Sequence, residues 1–326
     1  MNDEHPSSAN AAGANAAGAN AAGGSRRGFL KCLAWAGTGI VWTVAGGIPN
    51  GSVLGLDGRA HAAETQGFTF VQISDSHIGF KGAVNPDPAG TLCQALDRIA
   101  HLPTKPAMMI HTGDVSHLSK PAQFDTADQL FKTTGLDTHF IPGEHDVIGD
   151  DGKEFFQRFG AKGAASGGWY SFDQGGVHFV ALINVMGFTP AAGGSLGQAQ
   201  LEWLEKDLAP RSASTPIVVL GHVPLWPIYP QWGWATEDAP QALGYLRRFG
   251  SVTVLNGHIH QVVQKVEGQV SFRTAMSTAF PQAAPGVGPG PGPMKVAPDR
   301  LKSLLGVRRI DYAPLTGVAE TDFTLA

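Results

Sequence analysis

Between residues 68 and 277, short apolar runs end abruptly on polar clusters, and the same transition recurs five times. Phe68-Thr-Phe-Val-Gln-Ile73 leads into Ser74-Asp75-Ser76-His77, and Ala107-Met-Met-Ile110 into His111-Thr112-Gly113-Asp114. Thr138-His-Phe-Ile141 leads into Pro142-Gly143-Glu144-His145-Asp146. Pro216-Ile-Val-Val-Leu220 leads into Gly221-His222, and Ser251-Val-Thr-Val-Leu255 into Asn256-Gly257-His258-Ile259-His260. Runs of this length, β-prone and bounded by Gly or Pro, predict buried strands. Helical patterns fall between them, over 88–101, 120–133, 151–159, 198–209 and 239–249.

Strand–helix alternation predicts an α/β layered fold with helices on the sheet faces. Two hairpins are also expected. One turns at Gly175-Gly176 within 170–185, the other at Glu267-Gly268 between 262–266 and 270–274. They point to two packed sheets, so the expected architecture is a four-layer αββα sandwich of two mixed sheets flanked by helices. In layered sheets ligands gather at the carboxyl ends of strands, where all five polar clusters lie.

Composition narrows the function. The chain has 326 residues and a formal net charge of −4. No run of Lys or Arg offers an electrostatic footprint for nucleic acid or anionic lipid, so a nucleic-acid partner is not indicated. The two cysteines, Cys32 and Cys93, form no metal-binding cluster, so any metal must be held by His, carboxylate or amide groups.

The first 62 residues read as an address. A repeat of Asn-Ala-Ala-Gly over 10–24 is too small and polar to build a core. Ser25-Arg26-Arg27-Gly28-Phe29-Leu30-Lys31 then precedes an apolar, Gly-containing stretch to about Ile48, closing near Ala60-His61-Ala62. The arginine pair resembles a twin-arginine export signal, which implies the twin-arginine translocase as a partner. The expected product is a periplasmic or secreted protein with no stable membrane span after cleavage, its single domain covering 63–326. About 281–326, with Gly288-Pro-Gly-Pro-Gly-Pro293, reads as a Pro/Gly-rich extension. Within it, Leu301–Leu305 and Val307–Ile310 could return to the core.

The ordered set Asp-x-His, Gly-Asp-x-x-His, Gly-Glu-His-Asp, Gly-His and Gly-His-x-His resembles the calcineurin-like metallophosphoesterase family, from about Phe68 to Ser277. The resemblance implies two metal ions, with Asp114 as bridge. Asp75, His77 and His260 would serve the first ion, and Glu144, His222 and His258 the second. It also implies hydrolysis of a small phosphate ester, diester or monoester, by a metal-bridging hydroxide attacking in line. His145 would face the phosphate, with Asp146 fixing its tautomer. On an extended segment, the i, i+2 spacing of His258 and His260 would point both rings to one side.

Two positions depart from the family pattern. Glu144 stands where Asn is usual; it could ligate in the same way, favour a harder or more highly charged cation, or displace the metal. In the last case the chain would be an exported metal-binding protein with little turnover. His117, three residues after Asp114, could add a ligand to the first ion or remain outside the coordination shell. Together they leave the metals as Fe, Mn or Zn, divalent or mixed-valence. The aromatic segment 224–234 could form a lid, with Trp226, Tyr229 and Trp232 against substrate, or simply cover the core. Residues 79–88 are a second candidate rim, while helix 198–208 is given no chemistry and His111 is expected as buried strand.

Overall fold

The computed structural model describes residues 67–313 and 317–326, together with the backbone of two antiparallel strands, β1 (Ile40–Ala45) and β2 (Ile48–Val53). The twin-arginine motif and the expected cleavage site lie outside the described residues. Residues from Thr65 onward form one compact unit.

Its first sheet contains β3 (Phe68–Ile73), β4 (Met109–His111) and β5 (Thr138–Phe140), all parallel. The second contains β6 (Tyr170–Gln174), β7 (Val177–Ala181), β8 (Ile217–Leu220), β9 (Val252–Asn256), β10 (Gln264–Glu267) and β11 (Val270–Thr274), in the order β10-β11-β9-β8-β7-β6. Its four inner strands are parallel and its edge strands antiparallel. Both expected hairpins are present. The first turns through Gly175 and Gly176, whose φ values of 57° and 81° suit the twist-matched two-residue turn.

Three apolar clusters separate the layers. The first lies between β3–β4–β5 and helices α1 (Pro88–Ala100), α2 (Pro121–Lys132) and α3 (Lys153–Phe159), and includes Val71, Ile73, Leu92, Phe124 and Phe155. The second lies between the sheets, where Phe70, Ile110 and Ile310 meet Phe179, Val218 and Leu255. The third packs α4 (Gln198–Leu208) and α5 (Ala239–Leu246) on the second sheet through Leu201, Leu204 and Leu246. Phe70 and Val71 face opposite layers because side chains alternate along a strand. The result is the expected four-layer α/β sandwich. α1 begins where Asp87 Oδ1 accepts from Gly90 N at 2.9 Å and Pro88 takes the first helical position.

The C-terminal segment carries more structure than its composition predicts. After α6 (Pro298–Leu301), strands β12 (Gly306–Ala313) and β13 (Gly317–Thr324) extend the first sheet in the order β13-β12-β3-β4-β5. β12 runs antiparallel to β3, pairing Ile310 with Phe70. No helix among the described residues is long and apolar enough to cross a membrane.

Candidate metal centre

The five polar clusters converge on one end of the sandwich. Asp75 and His77 follow β3, Asp114 follows β4, Glu144 and His145 lie on a 3₁₀ turn after β5, His222 follows β8, and His258 and His260 follow β9. Both sheets therefore contribute, and His258 N donates to Asp75 Oδ1 at 3.1 Å across the gap between them.

Four overlapping groups of potential donors lie here among the described residues, two of them built on His145: His77, His117 and His145, and Asp114, Glu144 and His145. The other two share no residue and form the two donor sets, Asp75, His77, Asp114 and His260 in one, Glu144, His222 and His258 in the other. Asp114 lies between them, its Oδ2 being 3.5 Å from His77 Nε2 and 3.4 Å from His222 Nε2. Its Oδ1 is occupied, accepting from His145 N at 2.9 Å.

Backbone conformation marks the same residues. Asp75, His77, Asp114, His258 and His260 all have positive φ, between 41° and 70°. Such conformations cost about 1–3 kcal/mol each and concentrate at functional sites. They also correct the expected geometry of the Gly-His-x-His motif: His258 and His260 share the site through left-handed turns, not through an extended segment. Two motif glycines are explained by close approach. A Cβ on Gly113 would lie 2.3 Å from His222 Nδ1, and one on Gly143 2.0 Å from Asp114 Oδ1.

The ring orientations favour cations. His222 Nδ1 donates to Thr112 O at 2.7 Å, and His260 Nδ1 to Phe280 O at 2.6 Å. Their Nε2 atoms consequently present lone pairs to the centre. His222 Nε2 lies 2.8 Å from Glu144 Oε2, and His260 Nε2 lies 3.2 Å from His77 Nε2 and 3.3 Å from Asp75 Oδ1. Asp75 Oδ2 and His222 Nε2 are buried without a hydrogen-bond partner. Lone pairs and carboxylates facing each other at these distances require intervening positive charge, so the donor set fits metal ions. A proton can supply that charge as well as a metal. Burial opposes a charge on His222, yet the carboxylates of Asp114 and Glu144 outweigh it and hold His222 well above its ordinary pKa. A bound cation would therefore displace a proton from Nε2. Glu144 is held well below its own against the cost of burial, chiefly by His258 and His222.

Both oxygens of Glu144 reach donors, Oε1 lying 3.0 Å from His258 Nδ1. The additional methylene is thus accommodated within the second set. His117 does not join the first set. Its Nδ1 meets His77 Nδ1 at 3.3 Å, on the opposite side of the ring from Asp114.

His145 has burial against it, but Asp114, Glu144 and the His117 carbonyl raise its pKa above the ordinary value. Its Nδ1 donates to His117 O at 2.8 Å, so that carbonyl, not Asp146, fixes the tautomer. Asp146 instead accepts from Val115 N, Ser116 N and Gly143 N at 2.7–3.0 Å, tying the loops after β4 and β5 together. Burial and the charge of Asp114 push its pKa up to about 7.

A cleft of about 370 Å³ opens over the centre and includes Trp232. Trp226 points elsewhere, packing on Phe272 with ring centroids 5.0 Å apart, so it is a core residue and not a cleft wall. Tyr229 stands behind Trp232, edge-on at 5.1 Å. The expected rim at 79–88 contributes Phe80. Phe188, Phe280, Pro291 and Pro293 also line the cleft, and sequence patterning gave them no role.

A layered α/β sandwich with two adjoining donor sets at its strand ends defines a dinuclear metal-site protein of the phosphoesterase type. The signature of the family described as Calcineurin-like phosphoesterase matches residues 68–262, and the chain belongs to that family. It is 34% identical over 105 residues to purple acid phosphatase 15 of Arabidopsis thaliana, covering 31% of this chain and 19% of the relative. It is 23% identical over 180 residues to a 3',5'-cyclic-nucleotide phosphodiesterase of Nostoc sp., covering 54% of this chain and 64% of the relative. The chain thus spans less than two thirds of either relative's length. In fold it is similar to a dimetal phosphatase from Danio rerio, with a TM-score of 0.56 and 15% identity, covering 79% of this chain and 99% of that one.

Proposed function

We propose that this chain hydrolyses phosphate esters, diesters or monoesters, at a centre holding two metal ions. The observation that carries the reading is the convergence of lone-pair nitrogens and carboxylates around Asp114 Oδ2, which faces both donor sets. Asp75, His77 and His260 would hold one ion and Glu144, His222 and His258 the other, with Asp114 shared. Two such ions supply Lewis-acid polarisation of the phosphoryl oxygens and activation of water.

The chain's own residues supply the rest. The carbonyls of Thr112 and Phe280 fix the tautomers of His222 and His260, and His117 braces His77 from behind. With Nδ1 committed to the His117 carbonyl, His145 keeps Nε2 for the substrate. Its raised proton affinity suits it to steady negative charge at phosphorus and to protonate the departing alcohol oxygen as the P–O bond breaks. The fit of Glu144 between His222 and His258 supports a ligand role over displacement of the second ion. Three carboxylates in the combined set favour iron or another highly charged cation beside a divalent one. The Arg26-Arg27 motif supports export by the twin-arginine translocase to the periplasm or beyond.

The test is hydrolysis of p-nitrophenyl phosphate and bis(p-nitrophenyl) phosphate by protein reconstituted separately with Fe, Mn and Zn. Turnover of at least one ester, abolished by a chelator and restored by metal, is expected. Two bound metals per chain with neither ester hydrolysed would instead make it a metal-binding protein.

A further inference from the structure

The cleft above the centre has two unlike halves. Its floor is polar, formed by Asp114, Glu144 and the histidines. Its upper wall is built from Phe80, Phe188, Phe280, Trp232, Pro291 and Pro293, and no Lys or Arg lines it among the described residues. Phe280 ties the halves together: its ring packs against Phe80 at 4.4 Å and stacks on His77 at 4.7 Å, while its carbonyl holds His260. Phe188 stands edge-on to His258 at 5.2 Å.

The Pro/Gly segment forms part of this wall and is pinned in place. Met294 N donates to Pro281 O at 2.8 Å, closing the loop, and Gly292 N donates to Gln282 Oε1 at 2.9 Å. Gln282 Nε2 in turn donates to His258 O at 2.8 Å, so the wall is anchored to a residue of the second donor set.

Charge on the reacting phosphate can be met at the floor by bound cations and His145. A second anionic group higher in the cleft would find proline rings, the electron-rich faces of aromatic rings and a Gln282 amide already bonded to His258 O and Gly292 N, with no Lys or Arg side chain among the lining residues described. An uncharged aromatic or aliphatic group would stack there and leave water.

We infer that the substrate is a phosphate ester whose organic part is uncharged and apolar, preferably aromatic, and that the wall selects against a second anion near phosphorus. This rests on the hydrolase reading above and names the substrate class for the same site. Compact phosphodiesters of an aryl alcohol fit it; polyphosphates and polynucleotides do not.

Two diesters with one leaving group isolate the effect: p-nitrophenyl phenyl phosphate and p-nitrophenyl 4-carboxyphenyl phosphate. The metal-loaded full chain is expected to favour the first by at least tenfold in kcat/KM. Phe188→Lys, which places a cation on the wall, should narrow that ratio by raising turnover of the carboxylated ester. Because the ratio is taken within each protein, general damage to activity cancels. Equal efficiency toward the two diesters in the unsubstituted protein overturns the inference while leaving the hydrolase reading intact. A ratio unmoved by Phe188→Lys overturns the assignment of the wall as the selecting element. Hydrolysis of neither diester nor monoester, with two metals bound, overturns both.

Discussion

His117 Nδ1 lies 3.3 Å from His77 Nδ1, while His77 Nε2 points to Asp114 and His260. One of the facing nitrogens must donate to the other, and His77 is the donor if its Nε2 keeps a lone pair for metal. The His117 ring also stacks on His145, centroids 4.8 Å apart and planes 15° from parallel. A single side chain therefore braces a candidate ligand and the candidate acid. His117→Ala should lower metal affinity by roughly 10–100-fold, the usual cost of losing such a partner. Chelator competition measures this, and an unchanged stoichiometry of two metals separates bracing from direct ligation.

His145→Ala tests the acid more directly. The substitution leaves both donor sets intact, so metal content should be unchanged while kcat falls by about 10²–10⁴. The loss should be smaller for p-nitrophenyl esters than for alkyl esters, because p-nitrophenolate leaves without needing a proton. An equal loss on both would restrict His145 to charge stabilisation.

The motif residues that sequence made legible are those where chemistry dictates residue type. Asp75, His77, Asp114, His222, His258 and His260 are named by what a metal accepts, and the apolar runs before them locate the strand ends. Other information was hidden. The left-handed backbone at five of these residues follows from loop closure across two sheets, which spacing alone does not encode. The partners of His145 and His77 depend on where the His117 ring and carbonyl fall after folding. Trp226 shows the converse: it shares composition, neighbourhood and burial with Trp232, yet the folded position sets one against Phe272 and the other on the cleft. Composition hid the C-terminal wall, since Gly-Pro repeats read as solvated chain until Gln282 and Met294 pin them.

Glu144 supplies the charge that distinguishes this centre from an amide-containing one. Glu144→Asn removes one negative charge and shortens the reach to His222 and His258. Affinity for the second metal equivalent should fall roughly tenfold or more, about 1.4 kcal/mol. The loss should be larger for a trivalent than a divalent cation. Isothermal titration of both variants with Mn²⁺ and Fe³⁺ checks the order; an unchanged second affinity would remove Glu144 from the coordination shell.

His111 gives the fold a pH dependence of predictable sign. It is buried at the end of β4, with Nδ1 accepting from Gly113 N at 3.2 Å and Nε2 against Ser76 Oγ at 2.9 Å. Burial pushes its pKa down to about 3 from 6.5. The unfolded chain therefore binds a proton below pH 6.5 that the folded chain refuses. The stabilisation is complete above 6.5 and is lost as pH falls toward 3. Between pH 7 and pH 5 the cost is about 2 kcal/mol. Urea unfolding of the unsubstituted chain and of His111→Gln at both values should show a loss larger by that amount in the former.

The C-terminal hairpin is joined to the opposite sheet by charge as well as by apolar packing. Arg273 on β11 lies 3.0 Å from Glu320 on β13, and Arg308 on β12 lies 2.8 Å from Asp322 and 3.7 Å from Glu320. Arg308 is only 1% exposed, and burial raises the pKa of Glu320 despite both arginines. A buried pair of this kind adds little net stability while both partners remain, because desolvation offsets attraction. Removing Arg308 is different, since buried Glu320 is then left with Arg273 as its one remaining counter-charge and Asp322 loses its partner. Arg308→Met should therefore destabilise the chain, by less than the roughly 3–5 kcal/mol of a wholly uncompensated buried charge because Arg273 still faces Glu320. Asp322, at 27% side-chain exposure, can turn to water, so Asp322→Asn should cost far less. Chemical denaturation of the two variants separates the cases: equal small losses would mean that water reaches Glu320, and that β12 and β13 are held by their ladder and the apolar core alone.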